Sequence, residues 1–144
     1  EVIRGGGEFI EARLLSSGPR TNPWFNEASD RKIRPGELVA LDTDTIGCHG
    51  YYSDFSRTFH VGPGKPSAYQ REIYRMAYDQ VHHNMDFDKF SKDGVLEPGM
   101  VVSVESYIGE VGAADGVKLE EEVLITETGI EKLSRYPFND ELLK

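Results

Sequence analysis

Leu41-Asp42-Thr43-Asp44-Thr45-Ile46, then Gly47-Cys48-His49-Gly50, then Tyr51-Tyr52-Ser53-Asp54-Phe55-Ser56-Arg57-Thr58-Phe59, is the stretch on which the fold turns. Two β-favouring runs joined by a short segment bracketed by glycines predict a hairpin. Side chains alternate along a strand, so Asp42 and Asp44 project from one face. The return strand brings Asp54 back beside them. Three carboxylates crowded on a half-buried face repel one another and cost several kcal/mol in desolvation unless positive charge lies between them. A divalent cation is the economical answer.

Upstream, Ile33-Arg34-Pro35-Gly36 leads through Glu37-Leu38-Val39-Ala40-Leu41 to Asp42. Downstream, Leu96-Glu97-Pro98-Gly99 leads through Met100-Val101-Val102-Ser103-Val104 to Glu105. Pro-Gly is a turn signal, and each turn is followed by a short β-rich run that ends in an acid at the same offset from the proline. The shared offset points to two related strands in an internally pseudo-symmetric domain, each delivering a carboxylate to a common place.

Between these units, Ser67 with Gln70 forms a capping-box signature. Tyr69, Ile73, Ala77 and Val81 fall on one helical stripe, so a helix to about Asn84 is expected against the sheet. Gly116 to Thr126 reads as a further strand; its consecutive acids Glu120, Glu121 and Glu122 must point to alternating faces. Gly129 to Lys144 shows no clear period and reads as a terminal extension or a partner contact.

Bulk properties narrow the function. The 144 residues suit one soluble domain, with no apolar run long enough to span a bilayer. With 16 basic against 25 acidic residues the net charge is −9, which argues against nucleic acid as a partner. Such an excess of acid is ordinarily a solvated face; the strand positions above move several of these acids indoors. The single Cys48 excludes an internal disulfide and suits a reducing compartment, and no signal peptide is visible, so a cytoplasmic location is expected.

In combination, Pro35-Gly36 leading to Asp42, Gly50 through Phe59, Leu96-Glu97-Pro98-Gly99-Met100 leading to Glu105, and Lys118-Leu119-Glu120 resemble the core of the pita-bread superfamily, which includes methionine aminopeptidase, the Xaa-Pro peptidases and creatinase. The resemblance implies an α+β fold, an antiparallel curved sheet with flanking helices, here as a single incomplete catalytic domain over 1–144. It also implies a dinuclear centre on two aspartates, a histidine and two glutamates. These map to Asp54, one or both of Asp42 and Asp44, Glu105 and Glu120. The metals implied are two divalent ions, iron first, with manganese, zinc or cobalt also compatible with oxygen ligands.

Three features depart from the peptidases. Asp42-Thr43-Asp44 supplies an extra aspartate, Ser106-Tyr107 follows Glu105 in place of Pro-Gly, and Ser17-Gly18-Pro19-Arg20-Thr21-Asn22-Pro23-Trp24-Phe25 stands where many peptidases place a substrate-side histidine. These departures resemble the pita-bread dimethylsulfoniopropionate (DMSP) lyases. That resemblance implies cleavage of a small zwitterionic substrate to acrylate and dimethyl sulfide, by a homodimer; an Xaa-Pro peptidase or a non-catalytic remnant of the fold are the alternatives. Trp24, Tyr51, Tyr52 and Tyr107 are aromatic candidates for a sulfonium head. The family's ligand histidine belongs between the helix and the second Pro-Gly strand, and no histidine lies between His83 and Glu105. A segment, with the proton-abstracting aspartate, is therefore expected to be missing at about Met85-Asp86. His49, His60, His82 and His83 read as structural or solvent-facing, and Cys48 beside His49 as unpaired, since neighbouring strand side chains point apart.

Overall fold

The computed structural model describes residues 1–85 and 94–144. Its elements, in chain order, are β1 (Phe9–Ile10), β2 (Leu15–Ser17), β3 (Leu38–Asp42), β4 (Thr45–Ile46), β5 (Tyr52–Ser53), β6 (Ser56–His60), α1 (Ala68–Asn84), β7 (Val101–Gly109), β8 (Gly116–Thr126), β9 (Gly129–Lys132) and α2 (Asp140–Leu143). The strands form three antiparallel sheets, β1-β4-β5, β2-β3-β6 and β7-β8-β9. The break expected at about Met85-Asp86 falls at the edge of the described residues, with Asp86 outside them.

The expected hairpin is present. Its register is unbroken from Asp42↔Ser56 in β3–β6 to Thr45↔Ser53 in β4–β5. At the join, the Thr43 hydroxyl stands in for the ladder: it accepts from the Phe55 amide at 3.1 Å and lies 3.2 Å from the carbonyls of Ser53 and Phe55.

The predicted repeat extends to individual hydrogen bonds. Gly36 and Gly99 both have φ near +90° (86° and 95°), which a glycine adopts without steric cost at the third position of a Pro-Gly turn. Gly36 N–H donates to Val61 and Val61 N–H to Glu37, at 2.7 and 2.9 Å. In the second half Gly99 donates to Ile125 and Ile125 to Met100, at 2.9 and 2.8 Å. Each turn thus launches its strand in the same register, and Asp42 and Glu105 end up in equivalent places.

Helix α1 begins with both halves of the capping box, Gln70 N–H to Ser67 Oγ at 3.1 Å and Ser67 N–H to Gln70 Oε1 at 2.9 Å. Ile73, Tyr74, Ala77 and Val81 are buried with Leu38, Val104, Val117, Leu119, Val123 and Leu142, while Tyr69 packs at the margin. The helix therefore covers one face of β7 and β8 and leaves the other to the acids.

Beyond Gly129 the chain is built into the domain, contrary to the reading as an appendage. β9 pairs with β8, Leu142 lies in the core, and the Arg57 side chain binds the carbonyls of Tyr136 and Pro137. A short strand and backbone acceptors leave no periodic trace in a sequence, which is why the segment reads as irregular.

Candidate metal centre

Strand alternation assembles the site. β8 is buried on both faces: Val117, Leu119 and Val123 meet the core, while Lys118 and Glu120 turn the other way. Opposite them on β7 stand Tyr107 and Glu105. The β3–β6 hairpin adds Asp42 at its end and Asp54 just past its return.

One carboxylate oxygen each from Asp42, Asp54 and Glu120 lie within 4.8 Å of one another, the only such group of potential ligands among the described residues. Asp42 and Glu120 are buried and Asp54 half-buried. Asp44 adjoins them, and its Oδ2 is buried with no hydrogen-bond partner. Glu105 is different: its side chain is 59% exposed and is drawn to the Lys118 ammonium, outside the group of three. Three of the five expected acids thus converge; Asp44 lies close enough for Asp42 and Asp54 to raise it, and Glu105 faces the region from its edge.

The electrostatics express the crowding. Burial, then Asp42 and Asp54, push Asp44 up to about 6. Burial, opposed by Lys118 and reinforced by Asp42, pushes Glu120 up to about 7. Burial and Asp42 also raise Asp54. Such shifts mark a site that disfavours its own charges and that a cation would relieve. All-oxygen donors, with an unpartnered buried carboxylate oxygen beside them, suit a divalent metal, so the residues fit an ion of the kind the fold implies.

Three contributors went unassigned in the sequence. Ser56 Oγ donates to Glu120 Oε2 at 2.8 Å, holding the carboxylate in place. Lys118, its side chain 3% exposed, donates to Glu120 Oε2 at 3.1 Å; burial lowers its pKa, but Glu120, Glu105 and Asp42 outweigh this and raise it. Arg57 donates to the Glu120 carbonyl and pairs with Glu121. The available signal for Lys118 was its spacing, two residues before Glu120 on a strand and so on the same face.

Of the four aromatic candidates, two border the cluster. The Trp24 ring lies 5.8 Å from Lys118 Nζ and 6.2 Å from the Tyr107 ring. Their loop is fastened by Asn22, whose side-chain amide donates to the carbonyls of Glu110 and Ala113 and whose Oδ1 accepts from the Tyr107 hydroxyl at 2.7 Å. Tyr51 and Tyr52 are exposed on the hairpin. No histidine belongs to the acidic group among the described residues: His49 is exposed near the hairpin tip, and His82 is bonded to the Tyr78 carbonyl.

A repeated antiparallel sheet with acids converging between its halves defines a pita-bread metalloenzyme domain. The chain belongs to metallopeptidase family M24, whose profile matches residues 2–86. It is 36% identical to the dimethylsulfoniopropionate lyase DddP of Roseovarius nubinhibens, over 99% of this chain and 43% of the relative, and 34% identical to that of Roseobacter denitrificans over the same shares. Both alignments run over 191 residues against 144 here, so the lyases carry residues within the matched span that this chain does not. In fold it is similar to an Xaa-Pro dipeptidase from Bacillus anthracis, with TM-score 0.81 and 24% identity, over 94% of this chain and 50% of that one. The chain spans less than half the length of the curated relatives named here. Among the described residues no helix is long and apolar enough to cross a membrane.

Proposed function

We propose that this chain carries the metal-holding part of a dimethylsulfoniopropionate lyase, with Asp42, Asp44, Asp54 and Glu120 as ligands, iron as the metal, and a homodimeric, cytoplasmic whole protein. The observation that carries this reading is Asp44. It is the acid that separates the Asp42-Thr43-Asp44 pattern from the peptidase one, and its buried, unpartnered oxygen sits beside the cluster. Identity of 36% to a DMSP lyase over 99% of the chain supports the same choice.

The reaction breaks the C–H bond next to the substrate carboxylate. That electron pair forms the acrylate double bond, the C–S bond breaks, and neutral dimethyl sulfide leaves with the bonding pair; the proton passes to a carboxylate base. A divalent metal, when bound, supplies Lewis-acid stabilisation of the charge that builds on the substrate carboxylate. This chain's own residues orient the other end. Trp24 and Tyr107 offer aromatic faces to the sulfonium, and the Lys118 ammonium near the Trp24 ring indicates that a cation is accommodated there. The base belongs to the segment that the lyases have and this chain lacks.

Headspace chromatography for dimethyl sulfide after incubation with DMSP, run beside a proline-containing dipeptide, tests the reading. Release of dimethyl sulfide is expected on addition of metal when the protein tested also carries the residues that the lyases have within the matched span, the base among them. Cleavage of the dipeptide alone would replace the lyase with a peptidase.

A further inference from the structure

The two halves of the sheet repeat one another, but their charges do not. Asp42 pairs with Ser56 in the first half and Glu105 with Glu120 in the second. Two residues further along, the register that holds on both sides of them sets Asp44 opposite Asp54. The equivalent pair in the second half is Tyr107 and Lys118. Where one half supplies two carboxylates, the other supplies a phenol and an ammonium.

That ammonium reaches both acids on which a second ion would depend. Lys118 Nζ is hydrogen-bonded to Glu105 and, at 3.1 Å, to Glu120 Oε2. Its side chain is buried, so it cannot swing into solvent without unpacking. Glu105 is held at Lys118 and contributes nothing to the group formed by Asp42, Asp54 and Glu120. A second divalent ion lodged between Glu105 and Glu120 would stand beside the buried ammonium that already bridges them, and like charges brought together away from bulk water repel strongly.

We propose that this chain binds a single divalent ion, on Asp42, Asp54 and Glu120 with Asp44 beside them, and that the Lys118 ammonium holds the second cation position, between Glu105 and Glu120. This rests on the metal-site reading above and departs from the two ions that the family resemblance implies. Lys118 is then a positioning residue: it fixes Glu120 and neutralises Glu105 without touching the metal.

Titration of the metal-free chain with manganese(II), followed by calorimetry and by metal analysis after desalting, counts the ions directly. One ion per chain is expected for the wild type and for Lys118→Arg, which keeps the charge. Two are expected for Lys118→Met, which removes the charge at similar length, and electron paramagnetic resonance should then show coupling between manganese ions. Glu105→Gln gives a second line of test: it should leave the count at one, whereas a dinuclear site would lose an ion. Two ions in the wild type, a single ion in a folded Lys118→Met, or loss of the ion in Glu105→Gln would each overturn this proposal alone. No ion in the wild type would overturn it together with the metal-site reading.

Discussion

Glu120 and Glu121 are neighbours on β8, both 2% exposed, and they meet burial in opposite ways. Glu121 faces Arg57, a fully buried guanidinium that also binds the carbonyls of Ser56, Glu120, Tyr136 and Pro137 and lies 4.1 Å over the Phe138 ring. Its cation is built into the fold. Glu120 faces Asp42 and Asp54, has Ser56 and a share of Lys118 for partners, and is pushed up to about 7. Its surroundings are short of positive charge. One side chain, on the closed side, is answered by a fixed guanidinium; the other, on the open side, is crowded by carboxylates.

The largest expected effect comes from breaking the closed side. Arg57→Ala leaves Glu121 buried without its cation and removes the tie to the segment after β9, so a loss of roughly 3–5 kcal/mol is expected in urea unfolding. Arg57→Met combined with Glu121→Leu removes both charges and should recover much of that loss. If the single variant proves as stable as the wild type, the guanidinium is not what holds the C-terminal segment, and the contrast between the faces fails.

On the open side the same kind of change should hurt binding and spare the fold. Glu120→Gln removes a charge that the metal-free protein disfavours, so its unfolding free energy without metal should hold or rise, while its affinity for manganese(II) should fall by at least tenfold. Asp54→Ala should abolish metal binding outright. Metal affinity retained in both variants would show that the acids are merely crowded.

Acidity distinguishes the faces in a second way. The folded-state values of Asp44 and Glu120, about 6 and about 7, lie above their ordinary values of 3.8 and 4.5. Between those limits the folded chain binds more protons than the unfolded one, so stability falls as pH rises through roughly 4 to 7 and levels off above. Metal should reverse the trend, because its ligands bind deprotonated and its affinity climbs with pH. Melting temperatures across this window, with chelator and with manganese(II), check both signs; a metal-free curve that rises with pH contradicts the crowding.

Much of the open face was legible beforehand. A strand must alternate, so Asp42 and Asp44 had to share a side and one of three consecutive glutamates had to turn inward; the matched Pro-Gly offsets announced the repeat that the hydrogen bonds confirm. The capping box likewise declared itself through Ser67 and Gln70. The closed face was not legible, because Arg57 binds mainly backbone carbonyls more than sixty residues away, and any residue can present a carbonyl. Lys118 stood in a recognised motif without a role, since spacing gives the face a side chain joins but not whether it reaches across to Glu105. Alternation alone did not say which glutamate joins the acids; the family resemblance pointed to Glu120, whose carboxylate accepts from Ser56.

Glu122 gives the finest test. It shares a face with Glu120, lies opposite Ser103, is half-buried, and is raised by burial and by Asp54, yet it is outside the group of potential ligands. The Asp54 backbone opposes that rise from close by, and a glutamine keeps the shape of the side chain there while removing its charge. Glu122→Gln should therefore change stability by no more than about 0.5 kcal/mol and leave the manganese(II) count and affinity where they were. Set beside Glu120→Gln, this tests whether position along one face decides the matter. Equal loss of metal in both variants would mean that the cation is held by the summed charge of the face, and that no particular oxygen of Glu120 is required.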